Sequence, residues 1–292
     1  MAAQLTANIA VLAAGYILIG VSFGLVYRVY RFLNVGHAIP YVAAPYVVFA
    51  LQGLWDMPVW LAAGMALLAA GVLGTLLDQI LFRTLRRRQA ASSVLLMASL
   101  GAYIVFENLV ALIFGNDVQS LRPGATVQSI GWFGAVLTSA QLVVVGGAAL
   151  VMLVVLVTLR FTLFGVCYRS VACNPALART IGMNSERVYL KTAAFGAVLA
   201  GLAGILISND THMEPTMGLQ ALLMGIVVVI VGGREELAGC IPAALVIATT
   251  QTLSAWQSSG QWHAAIAFLM LLVFLVFRPQ GFFGHPLKKA GI

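Results

Sequence analysis

The sequence predicts an all-α fold, a polytopic bundle of transmembrane helices, and three observations carry that prediction. First, 61% of the 292 residues are hydrophobic and only 9% are charged, with a mean hydropathy of +0.99. An ordinary soluble domain carries about 25% charged residues, and a water-soluble fold of this length could not hide so much apolar surface. Second, the apolar runs are continuous and approach the ~20 residues a helix needs to cross a bilayer. Strands of a β-barrel would instead alternate over about ten residues. Third, the basic residues collect in alternate connections, as the positive-inside rule requires.

Taken in order, the apolar runs predict about nine spans, with eight to ten allowed, near 7–27, 38–54, 58–81, 93–115, 139–160, 188–208, 218–232, 239–256 and 262–278. The first lacks a positively charged leader and a small-residue cleavage site, so it reads as a retained helix. Pro40 and Pro45 interrupt the second, and the seventh is short. Gly196, Ala200 and Gly204 form one stripe of the sixth, the small-residue face by which membrane helices bring their backbones together. Residues 1–292 thus read as a single transmembrane domain with a cytoplasmic loop near 161–187.

A net charge of +7 could suggest nucleic acid, but placement argues otherwise. If the connection holding Arg83, Arg86, Arg87 and Arg88 is cytoplasmic, then Arg28, Arg31, Arg160, Arg169, Arg179, Arg187, Lys191, Arg234, Arg278, Lys288 and Lys289 share its side. Arg122 alone faces outward. The N-terminus is then outside and the C-terminus cytoplasmic. The basic excess is a topology signal.

The chain has no G-x-x-x-x-G-K-[ST] loop for ATP phosphates and no H-E-x-x-H or G-x-S-x-G motif. Cys167, Cys173 and Cys240 show no metal or disulfide spacing. Only two loops exceed about twenty residues, 116–138 and 161–187, and neither is large enough for a catalytic domain. The first, with Pro123 and Trp132, reads as irregular or interfacial. A pore, a carrier or one subunit of a larger machine remains.

The second loop holds RSVACNPALARTIGMN (169–184). Asn174 suits an N-cap and Pro175 the first helical position. Gly182 suits the left-handed residue that closes a helix, and Asn184 with Ser185 caps the next span. Leu177 and Ile181 are four apart and share a face. So short a helix is marginal alone and must dock. It either rests the Leu177/Ile181 face on its own membrane domain or presents a face to a cytoplasmic partner.

The run FGVCYRSVACNPALARTIGMNSERVYLKTAAFGAVLAGLAGIL resembles the coupling-loop region of permease subunits of ABC importers for branched-chain amino acids. Urea and short-amide permeases are near relatives. Arg169, Asn174, Ala178, Gly182 and Met183 stand at that family's places. FLNVGHAIPYVAAPY (32–46) is similar to its Asn-x-x-His-Gly segment through Asn34 and His37, although Ala38 replaces the Gly. MEPTMG (213–218) is similar to its Asn-Pro-x-Met-Gly segment through Pro215, Met217 and Gly218. FRPQGFFG (277–284) matches its tail. GGREELAGC departs, with Arg234, Glu235 and Glu236 in place of a Gly-Ser-rich turn. The resemblance implies an ATPase-coupling set comprising Arg169, Asn174, Pro175, Leu177, Ala178, Arg179, Ile181 and Gly182.

Polar groups inside a membrane are costly, about 2.5–3.5 kcal/mol each on insertion scales, so each is a candidate site. Glu107 and Asn108 lie in the fourth span. Glu107 is a hydrogen bond between helices, a lining of the path, or a proton relay. Asp78, within a turn or two of Arg83 at the end of the third span, reads as a snorkelling side chain or an end-of-helix pair. Asn34, His37 and Tyr41 flank one helix break and Pro215 and Gly218 another, and broken helices line cavities in transporters. His37 is either a packing histidine or part of that lining.

The resemblance implies alternating access in a bacterial inner membrane. It also implies two cytoplasmic ABC ATPase subunits, a second and non-identical permease, and a periplasmic substrate-binding protein. No cofactor binds this chain, since ATP is used by partner subunits. The expected cargo is a branched-chain or other hydrophobic amino acid. Urea or short amides are the alternative cargo, and a stand-alone secondary transporter using Glu107 is the alternative machine.

Overall fold

The computed structural model describes residues 2–121, 129–132, 135–233, 236–257, 262–278 and 280–283. Arg122, Pro123, Arg234, Glu235, Pro279, Gly284, Lys288 and Lys289 lie outside the described residues, as does the side chain of Trp132.

Twelve helices follow one another among the described residues: α1 (Ala2–Tyr30), α2 (Ala38–Trp55), α3 (Val59–Leu77), α4 (Arg83–Arg87), α5 (Ser92–Phe114), α6 (Ser139–Phe161), α7 (Leu163–Cys173), α8 (Pro175–Thr180), α9 (Ser185–Asp210), α10 (Met217–Gly232), α11 (Cys240–Gln257) and α12 (His263–Phe277). A five-residue π turn, Asp78–Phe82, joins α3 to α4 without a break. Seven segments are long and apolar enough to cross a membrane. The other two predicted spans are α10 and α12, at 16 and 15 residues. At 1.5 Å per residue each covers about 24 Å or less, short of a ~30 Å hydrocarbon core.

The loop before α6 departs from the irregular reading. Strands β1 (Ser129–Trp132) and β2 (Ala135–Thr138) form an antiparallel hairpin. Its end sets up α6, where Thr138 and Gln141 make a reciprocal capping box.

The second span is also less interrupted than its two prolines predict. Pro40 sits in the first turn of α2, where a missing N–H is harmless, and the helix runs on through Pro45. Pro45 offers no N–H to the Tyr41 carbonyl four residues earlier. Gly204 of α9 packs against that same oxygen, so closely that a Cβ would collide with it. The defect in one helix is covered by a glycine of another.

Such contacts build the core. Helix α9 packs on α1, α2, α3 and α6. Gly196 faces Val26 and Ser22 of α1, and a Cβ at Gly201 would lie 2.8 Å from Ala70 of α3 and 3.1 Å from Ala44 of α2. The predicted stripe therefore is the centre of the bundle. Outward faces keep large apolar side chains, among them Leu68, Leu112, Leu150 and Phe277, as a lipid-embedded surface does.

One end of the bundle gathers the close of α1, α3–α4, α7, α8 and the start of α9. It is crowded with arginines, and its joints are polar. Arg31, left-handed at the close of α1, donates to the carbonyls of Ala172 and Cys173 at 2.7 and 2.6 Å. Tyr168 donates to the Leu25 carbonyl at 2.9 Å, and burial raises its phenol far above the usual range, so it stays a neutral donor.

Candidate translocation path and docking helix

The two helix breaks come together. The first runs from Arg31 through a 3-10 turn, Val35–His37. The second lies between Asp210 and Met217, where Pro215 is buried in a turn. Helix α10 packs on both the 3-10 turn and α2. Gly218 admits this approach, since a Cβ there would meet Val42 of α2 at 2.5 Å and the Tyr103 ring at 3.1 Å.

Asn34 and His37 are both buried beside the first break. The Asn34 Oδ1 has no hydrogen-bond partner among the described residues, and a His37 ring nitrogen lies 3.4 Å from Ser22 Oγ. Between them is a cavity of about 20 Å³, lined also by Pro40, Gly74, Phe82 and Ala197. It has room for about one water. A solute the size of an amino acid does not fit, so the bundle is closed at this level. Its walls come from α1, α2, α3 and α9 and the turns that follow α1 and α3.

Helix α5 supplies what the sequence reading missed. Ser99, Tyr103 and Glu107 recur every four residues and so share one face. Ser99 Oγ accepts from the Val35 backbone N–H at 3.1 Å, which ties α5 to the first break. The Tyr103 oxygen accepts from the Leu219 N–H at 3.0 Å, which ties α5 to the start of α10. The half-buried Glu107 carboxylate lies beside the Tyr103 phenol. Polar side chains at this spacing in an apolar run were a legible signal, and Glu107 alone was taken from it.

Asn108 does not join this face. It is exposed and its amide bonds back to the Ile104 carbonyl at 2.8 Å on its own helix. Tyr41 is buried, and its carbonyl serves the α2–α9 contact described above. Asp78 also departs from expectation: its partner is Arg86, with Nη1 2.7 Å from Oδ1, rather than Arg83.

The short helix of the 161–187 loop forms as its caps predict. Asn174 accepts from the N–H groups of Ala176 and Leu177 at 3.0 and 3.1 Å. Gly182 has φ +83°, and the Met183 N–H reaches the Ala178 carbonyl at 3.0 Å. The face that docks on the chain is the Ala178 side, which leaves the Leu177/Ile181 pair outward. Ala178 is 2% exposed, whereas Leu177 and Ile181 are 63% and 69% exposed. Residues 169–173 belong to α7 instead, and Arg169 donates to the Leu159 carbonyl at the close of α6. Arg179 lies in the last turn of α8.

A multi-pass helical bundle with paired helix breaks in its interior and a capped helix at one end is an architecture that suits a transport permease. Residues 5–275 match the family described as branched-chain amino acid transport system / permease component. The chain belongs to this family of ABC importer permeases. It is 27% identical over 288 residues to the high-affinity branched-chain amino acid transport system permease protein LivH of Salmonella typhimurium, covering 94% of this chain and 93% of that protein. It is 24% identical over 284 residues to BraD of Pseudomonas aeruginosa, covering 93% and 92%. It is similar in fold to a chain of the solved structure "PsaBC from Streptococcus pneumoniae in complex with Fab". The TM-score is 0.54 and the identity 12%, with 95% of this chain and 93% of that chain covered.

Proposed function

We propose that this chain is one membrane subunit of a binding-protein-dependent importer for branched-chain or other hydrophobic amino acids, driven by alternating access. The observation that carries the proposal is α8. A two-turn helix with both ends capped, anchored through Ala178, holds Leu177 and Ile181 out of the bundle. Such an apolar pair suits a groove on a cytoplasmic ATPase. The names of LivH and BraD support the cargo.

In this reading the arginine-rich end is cytoplasmic, the N-terminus is outside, and residues 161–187 are the coupling loop of a single domain. The membrane is the bacterial inner membrane. Two ATPase subunits hydrolyse ATP, and this chain binds no cofactor of its own. A periplasmic binding protein delivers the cargo and a non-identical permease completes the path. The closed cavity at Asn34 and His37 and the polar face of α5 line that path on this side. Because a binding protein concentrates the cargo, the lining itself can be sparse.

The test is purification of the tagged chain from its native membrane in mild detergent, with mass spectrometry of what remains bound. ATPase subunits and a second permease are expected. A stable, transport-competent chain recovered alone overturns the proposal and favours a carrier that uses Glu107.

A further inference from the structure

Arg86 occupies an unusual position. Its guanidinium holds Asp78 with both ends of its fork, Nη1 to Oδ1 at 2.7 Å and Nη2 to Oδ2 at 3.3 Å. The same Nη2 reaches Glu186 Oε2 at 3.1 Å. The guanidinium carbon lies 4.3 Å from the Tyr189 ring centroid and 5.4 Å from that of Tyr30. Tyr30 also donates to Asp78 Oδ1 at 2.5 Å. Asp78 is enclosed, Arg86 is partly buried, and Glu186 is the most open of the three.

One cation thus joins three elements. Tyr30 is the last residue of α1, Asp78 and Arg86 bracket the π turn after α3, and Glu186 and Tyr189 belong to the start of α9. That start follows α8 directly, and Ser185 Oγ contacts the Pro175 carbonyl at 3.5 Å. A planar guanidinium engaged bidentately and stacked on aromatic faces has little freedom left to swing.

The π turn makes the arrangement possible. In a regular helix a residue eight positions on is rotated well off the starting face, while one seven positions on lies close to it. A π turn absorbs one extra residue, so Arg86 stands where a seventh residue would and faces Asp78. Across α1, the same segment borders the Asn34/His37 cavity, which Tyr30 and Phe82 both line.

We propose that Arg86 is a positioning residue, a rigid link that makes the start of α9 move as one body with the basic ends of α1 and α3. It rests on the reading of α8 as the helix that receives force from an ATPase. A push on α8 reaches the first turn of α9 and, through the guanidinium, carries the basic ends of α1 and α3 with it against α2, whose Pro40 also lines the cavity. Without the link, α8 moves and the ends of α1 and α3 stay behind.

The experiment uses the complete complex in proteoliposomes and measures cargo accumulated per ATP hydrolysed. Glu186→Gln is the first variant, because its side chain is partly exposed and the buried Arg86–Asp78 pair survives it. The expected result is a coupling ratio lower by about fivefold, within the range seen for residues that carry coupling, with complex yield and ATP hydrolysis unchanged. A second variant, Arg83→Cys/Glu186→Cys, takes two residues whose Nε and Oε2 lie 4.0 Å apart and, with the three native cysteines replaced, should be uncoupled when reduced. Bridging the pair with a short, reversible thiol cross-linker should restore coupling, since a rigid link tolerates a covalent one. Coupling that survives Glu186→Gln, or a bridge that blocks transport, overturns the link. Uptake by the unaltered complex without ATP overturns the reading of α8 and the link with it.

Discussion

Gly204 shows how much a single position decides. The Tyr41 carbonyl, deprived of its helical donor by Pro45, faces this glycine with no space for a side chain. Gly204→Leu would drive α9 away from α2, and overpacking of this kind destabilises by about 1–3 kcal/mol or more. The expected outcome is a lowered thermal midpoint in detergent and reduced membrane yield. An unchanged midpoint would mean the two helices are not held at this distance. Tyr103 is a different case, because it joins helices through polar atoms. Tyr103→Phe keeps the ring and strips the acceptor from the Leu219 N–H. Leaving a donor unsatisfied costs about 1–3 kcal/mol, read as a lower unfolding midpoint with insertion intact. No change in the midpoint would remove Tyr103 as a tie between α5 and α10.

At the scale of the element, α8 is a helix whose ends are built locally and whose orientation is not. Asn174, Pro175 and Gly182 lie within one nine-residue stretch, so its existence and bounds were readable. Which face it docks depends on α7 and α9, and the sequence left that open. Ala178→Glu would force a carboxylate into the anchored face, and Gly182→Pro demands a φ that is positive here and that proline cannot adopt. Both variants should still insert in the membrane yet lose most cargo-stimulated ATP hydrolysis in the reconstituted complex. Normal stimulation in both would remove the role of α8 as the receiver of force. The π turn is the converse case. Asp78 and Arg83 are five apart and looked like a helix-end pair, but the extra residue rotates Arg86 into that place. The hairpin before α6 escaped notice because two four-residue strands beside Gly and polar residues carry almost no periodic signal.

For the whole molecule, the question is whether Glu107 is a structural group or an ion site. It sits at the end of the Ser99–Tyr103–Glu107 face and beside a tyrosine already bound to α10. Glu107→Gln preserves hydrogen-bonding shape and removes the charge. In an ATP-driven importer, uptake should fall by less than about threefold, the effect of altering one ordinary hydrogen bond. Abolished uptake in a complex that assembles normally would instead make this carboxylate the coupling site of a carrier.

Taken by itself, the sequence determined the helical bundle, the basic end, the bounds and caps of α8, and the two helix breaks. Each of these rests on residues close together in the chain, where apolar run length, charge placement and capping act locally. The tertiary structure alone decided that the two breaks meet through Gly218 and Val42, that Leu177 and Ile181 face outward, and that Arg86 joins α1, α3 and α9. Those outcomes depend on which helix faces are neighbours. In a membrane the choice of neighbour comes from close backbone approach and paired polar groups rather than from hydrophobicity, and an apolar run of residues does not encode it.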